Sequence, residues 1–147
     1  MVYEIKVVRS VLKEDAPQLP VRTARAVYDY AMKHCYKSEE MWRESAWLLL
    51  LNKSGEVFGQ FLLSTGGTDE CNLDKKVVAK VAIDMMAAGV IIVHNHPSGN
   101  CLPSQTDIRQ TADVKRALSL FDIQLLDHVV IGENEYFSFN DENRIKL

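Results

Sequence analysis

The stretch VIIVHNHPSGNCLPSQTD, Val90 to Asp107, decides how this chain reads. Its first four residues are apolar and β-branched. That is the pattern of a central strand covered on both faces, not of a half-exposed strand that alternates. The whole chain has only 4 histidines, and His94 and His96 close this strand one residue apart. Residues i and i+2 of a strand share a face, with side chains about 7 Å apart from the strand rise. Two imidazoles so placed can share a tetrahedral metal. A strand end this apolar is also a costly place to leave an imidazole unpaired.

Pro97 ends the strand, and Ser98, Gly99 and Asn100 let the backbone double back. Ser104 and Asp107 match the S-x-x-D capping box that opens a helix. Asp107 then sits in the first helical turn, where its carboxylate can face the strand end. Two histidines and one carboxylate leave a fourth position open, the arrangement of a catalytic zinc site. Zinc lowers the pKa of a bound water toward about 7 and polarises a carbonyl. From the residues alone a plainer account stays open: ordinary loop polarity followed by a helix cap.

Working outward, KKVVAKVAIDMMAA reads as the helix before this strand, with Asp74 as N-cap and Gly89 as its C-terminal stop. Further upstream, ESAWLLLLN (Glu44 to Asn52) and EVFGQFLLS flank the hairpin signal KSG. VRTARAVYDYAMKHCY has helical spacing at Val21, Ala24, Val27, Tyr28, Ala31 and Met32, and KSEEMW is a turn. YEIKVVRSVL (Tyr3 to Leu12) reads as a first strand, broken by EDAPQLP. Downstream, Gln105 to about Leu120 is a helix, IQLLDHVVIG a buried strand and EYFSF a short last strand. The expected order is β-α-β-β-α-β-α-β-β, an α/β (α+β) chain. Such an order gives a three-layer α-β-α sandwich with a mixed central sheet.

The 147 residues suit one domain. We expect residues 1–40 to be a strand-helix extension packed on a motif-bearing core of residues 41–140. The formal net charge is -3, which gives no support to a protein that grips phosphates over a basic face. Arg22 and Arg25, and Lys75, Lys76 and Lys80, read as solvated helix faces. The 3 cysteines, Cys35, Cys71 and Cys101, form no CxxC pair, which argues against a disulfide framework. The first residues carry no signal-peptide pattern, and no apolar run approaches the roughly 20 residues that span a bilayer. A cytoplasmic protein without a membrane segment is the expectation.

HNHPSGNCLPSQTD fits H-x-H-P-x(6)-S-x-x-D, which resembles the signature of the JAMM (MPN+/JAB) metalloproteases. With LLDHVVIG downstream, it is similar to the RadC-type JAB domains within that superfamily. The resemblance covers roughly Glu44 to Phe139 and implies the JAB/MPN, cytidine-deaminase-like fold. It implies that His94, His96 and Asp107 hold one Zn2+ per chain and that Ser104 steadies a substrate oxyanion. It also implies a glutamate general acid/base just before an earlier strand. Glu44 stands there, although Glu39 and Glu40 compete on sequence alone. The implied activity is hydrolysis of an amide bond in a peptide or protein substrate. Asn95 lies between the histidines, as in the RadC branch, where many eukaryotic members have serine or threonine. RadC proteins usually carry an N-terminal helix-hairpin-helix region, and the first forty residues here lack its signature. The competing expectation is a DNA-repair-associated accessory or binding module.

Several further residues have two readings each. Asp127 and His128 sit in a buried strand, either beside the metal site or as a satisfied structural pair; adjacent strand residues also face opposite ways. Cys101 is a loop residue or a redox brake on the metal. Thr65 to Thr68, TGGT, lines a cleft or is only a hinge. HNH before a proline is not the spread histidine set of an HNH nuclease. The H-x-E and P-C-x-x-C of zinc deaminases are absent. Edge strands could pair two copies.

Overall fold

The computed structural model describes residues 1–4, 6, 19–67 and 71–145. Most of the expected first strand, Tyr3 to Leu12, and Thr68 of TGGT lie outside them. The described elements are β1 (Leu19–Pro20), α1 (Ala24–His34), β2 (Ser45–Leu51), β3 (Glu56–Thr65), α2 (Lys75–Asp84), β4 (Gly89–Asn95), α3 (Gln105–Ser119), β5 (Gln124–Ile131) and β6 (Tyr136–Ser138). A 3-10 turn at Ser38–Glu40 precedes β2.

The strands form one mixed sheet in the order β1-β3-β2-β4-β5-β6. β4 runs antiparallel to β2 and parallel to β5. Every residue of β4 is buried, as its unbroken apolar run requires. Alternation divides the core into two layers. Leu48, Leu50, Val90 and Ile92 pack with Val78 and Ala82 of α2 and Val114 and Leu118 of α3. Leu49, Leu51, Ile91 and Val93 pack with Val27 and Ala31 of α1 on the other face. The three-layer arrangement is the one that the strand and helix order implies. Among the described residues no helix is long and apolar enough to cross a membrane.

Two local expectations are corrected. α2 ends at Asp84 rather than running to Gly89. The Met85 N–H closes the last turn on Ile83 and Val81 carbonyls, and Met86 takes the left-handed conformation at φ 52°. Gly89 instead starts β4, where a side chain would meet Leu126 Cδ1 at 2.8 Å. Leu19–Pro20 is a short strand, not only a break. It pairs with Val57 and Glu56 at the sheet edge, where a proline without an N–H is tolerated.

Candidate metal centre

The site lies where β4 leaves the sheet. β2 runs beside β4 with Ala46 opposite His94, which brings the residue before β2, Glu44, to the histidines. The loop after β4 returns at Ser104, the N-cap of α3. There the Ser104 Oγ accepts the Asp107 N–H at 3.0 Å, and the Asp107 Oδ2 accepts the Ser104 N–H at 2.7 Å. The capping box thus aims the Asp107 carboxylate back at the strand end. Glu44, His94, His96 and Asp107 each offer one ligand atom, all within 4.8 Å of one another.

The rings converge more than strand spacing suggests. His94 Nε2 and His96 Nε2 are 2.9 Å apart, because His96 lies past the end of β4 and leans inward. Asp107 Oδ1 is 3.5 Å from His94 Nε2, and Asp107 Oδ2 is 3.4 Å from His96 Nε2. Glu44 Oε1 is 3.5 Å and 3.9 Å from the same two nitrogens. His94 is 1% exposed and Glu44 5%, so water does little to screen these groups.

The donor set fits a metal ion. His96 Nδ1 is 2.7 Å from the Asn100 carbonyl, which only accepts, so this nitrogen carries the proton and leaves Nε2 a bare lone pair. His94 spends Nδ1 on His128 at 2.6 Å and also turns Nε2 inward. Two imidazole nitrogens and two carboxylates therefore face one small volume, an arrangement of acceptors that needs a cation among them. In a metal-free protein, protons meet that need. The hydrogen bond that protonated His96 donates to the Asp107 carboxylate, against burial, raises the His96 pKa. Burial opposes ionisation of Asp107, but hydrogen bonds from His94 and His96, the charge of His94 and the Ser104 N–H outweigh it and hold its carboxyl far below the usual range. Burial raises the Glu44 pKa, against the pull of both histidines.

Glu44 is pinned from two sides. Its N–H and carbonyl pair with Gly67 and Gly66 at 2.9 and 2.8 Å, so the TGG segment extends the β2–β3 ladder to the site. Asn95 points to the opposite face from His94 and clamps the same segment. It accepts from the Ser45 N–H at 2.9 Å and donates to the Arg43 and Met41 carbonyls at 3.0 and 3.3 Å. Glu39 and Glu40 lie in the exposed 3-10 turn, away from the cluster.

Asp127 and His128 part company. Asp127 accepts from Ser138 Oγ at 2.7 Å, the Asn140 N–H at 3.0 Å and the His128 N–H at 2.7 Å, so it ties β5 to the segment after β6. His128 turns to His94. The residue that sequence reasoning passed over is Thr111 on α3, whose Oγ1 is 2.6 Å from His128 Nδ1. Its signal was a polar residue within the buried stripe Asp107, Thr111, Val114, Leu118. Cys101 is buried in the loop before Ser104, stands apart from the four-residue cluster, and packs on the β5–β6 turn, where a side chain on Gly132 would meet its N at 3.0 Å.

The fold and cluster define an α/β domain whose central strand ends in a group that could hold a metal. Residues 21–144 match the family described as RadC-like JAB domain, and the chain belongs to that family, within the JAMM/MPN superfamily. It is similar to a UPF0758 protein of Porphyromonas gingivalis, 42% identical over 101 residues, 68% of this chain and 44% of the relative. A UPF0758 protein of Flavobacterium johnsoniae is 41% identical over 103 residues, 70% of this chain and 45% of the relative. One of Thermotoga maritima is 32% identical over 134 residues, 91% of this chain and 60% of the relative. The chain thus spans about half the length of the curated relatives it matches.

Proposed function

We propose that this domain is a zinc-dependent hydrolase that cleaves an amide bond in a peptide or protein substrate. The observation that carries the reading is the convergence of Glu44, His94, His96 and Asp107 at the buried end of β4. His94, His96 and Asp107 would hold the ion, which when bound supplies Lewis acidity and a nucleophile near neutral pH. Glu44 is the general base and later the acid toward the leaving amine. Its raised pKa suits that exchange, since a base works best with a pKa near the operating pH. The pins on residues 43–45 hold its carboxylate within reach of both imidazoles. Ser104 spends an oxygen lone pair on the helix cap and keeps its hydroxyl proton free. It is exposed at the mouth of the site, where that proton can donate to a developing oxyanion.

The test combines metal analysis with a screen for new protein termini. Purified chain reconstituted with zinc should hold one ion, and His94→Ala should lose it. Glu44→Gln should keep the zinc but produce no new termini in a proteome digest that the unaltered chain cuts. Failure to retain zinc, or identical termini from Glu44→Gln, would overturn the reading.

A further inference from the structure

Metal-bound histidines usually donate their second N–H to a carboxylate, a backbone carbonyl or a water, which fixes tautomer and ring orientation. His94 is held differently. Its Nδ1 faces another imidazole, His128 Nε2, at 2.6 Å, and His128 Nδ1 faces Thr111 Oγ1 at 2.6 Å. Thr111 Oγ1 in turn lies 2.6 Å from the Asp107 carbonyl.

The protons in this chain can be counted from its far end. A carbonyl only accepts, so the single Thr111 hydroxyl proton goes to Asp107. Thr111 Oγ1 then has only lone pairs for His128, so His128 Nδ1 carries a proton. His128 is fully buried with no carboxylate on its ring; a second proton would be an unpaired buried charge. Its Nε2 is therefore bare and must accept from His94, which places the His94 proton on Nδ1. His94 Nε2 is left as the lone pair that faces Glu44, His96 and Asp107. The His128 ring stacks on Phe139 with centroids 4.7 Å apart and planes 8° apart, which holds the plane of the ring between Thr111 and His94. Turned over, it would put carbons where its two nitrogens now meet those partners.

We propose that His128 and Thr111 are positioning residues that lock His94 in the Nδ1–H tautomer, leaving Nε2 as the lone pair that a metal ion requires. The order is set by a threonine hydroxyl on α3 that touches no ligand side chain in this chain of contacts. Reversing it would move one proton along each link and put a hydrogen where the ion must sit. The affinity arm of the test rests on the zinc reading above; the tautomer arm does not.

Two measurements test the lock. The first is a long-range 1H–15N histidine spectrum of the metal-free chain at about pH 9, above the usual imidazole range. His94 and His128 should both be Nδ1–H, and Thr111→Val should shift His94 toward the Nε2–H form. The second is a zinc competition titration. Thr111→Val and His128→Leu should bind about 10- to 100-fold more weakly, while Thr111→Ser and His128→Gln, which restore an acceptor, should recover most of the affinity. Far-UV circular dichroism of the metal-free variants separates misfolding from loss of the lock. If His94 is Nε2–H in the unaltered chain, or if folded Thr111→Val keeps both the tautomer and the affinity, the inference is wrong. If the unaltered chain binds no zinc yet shows the expected tautomers, the zinc reading fails and the lock stands.

Discussion

Asn95 offers a sharp test of how the site is held together, because it touches no ligand atom. It is 0% exposed. Its amide bridges the end of β4 to residues 41–45, with the Ser45 N–H at 2.9 Å and the Arg43 carbonyl at 3.0 Å as the shorter bonds. Asn95→Ala leaves those two backbone groups without a partner, and an orphaned buried group costs about 1–3 kcal/mol. Water can reach the half-buried Ser45 and Arg43, so the sum is nearer 2–4 kcal/mol than the additive maximum. Asn95→Asp preserves the shape and the acceptor for Ser45. It also turns a carboxylate oxygen toward the Arg43 and Met41 carbonyls, where the amide had donated. At neutral pH the loss should match or exceed that of alanine. The new carboxyl has its pKa raised in the folded state, so the penalty is present above that pKa. As pH falls through it, protonation restores a donor and the penalty shrinks. Urea unfolding of the metal-free chain gives the free energies, with a lower midpoint and an unchanged slope. Losses below about 0.5 kcal/mol for both variants would show that other contacts hold the Glu44 segment.

Other perturbations separate the parts of the site. Gly132→Ala puts a methyl 2.3 Å from the Gly99 carbonyl and 3.0 Å from the Cys101 N. The loop that returns to Ser104 must then shift, at about 1–3 kcal/mol, with weaker zinc uptake in a competition titration; unchanged stability and affinity would contradict this. Ser104→Ala should cost about 1 kcal/mol through the lost cap and lower kcat while zinc affinity holds, whereas Ser104→Asn should restore stability alone in a thermal melt. Zinc must displace the protons that His96 retains through its raised pKa, so affinity should fall as pH drops through that value. Calorimetry in buffers of differing ionisation enthalpy reads the released protons, and an affinity constant from about pH 5 to 8 would argue against the donor set. Burial pushes the Cys35 thiol up to about 12, so alkylation at neutral pH should track global unfolding, as mass spectrometry in a urea series would show.

What the sequence made legible follows from which interactions are local. The β-branched run of β4 announced its buried place, and S-x-x-D announced the start of α3, because strand periodicity and helix caps are set within a few residues. The same locality brings His94, His96 and Asp107 together across one short loop. Glu44 was harder. Nothing within its own segment distinguishes it from Glu39 and Glu40; what does is the pairing of Ala46 with His94, a contact across 48 residues of chain. The end of α2 was misjudged because Met86 accepts a positive φ that composition assigns to glycine. Gly89 was there for close packing instead.

The division of Asp127 and His128 shows why adjacent polar residues resist reading. Alternation guarantees that one faces each side of β5, but the parallel register with β4 decides which side holds the histidines. With Ile92 opposite His128 and Val130 opposite His94, the two imidazoles become diagonal neighbours on one face, close enough for a direct bond. A shift of one residue would exchange the roles, sending Asp127 toward the histidines and His128 to Ser138. The site would then gain a third carboxylate and lose the neutral partner that leaves His94 Nε2 bare. Strand register, which no local motif encodes, therefore determines the charge of the candidate metal site as well as its shape.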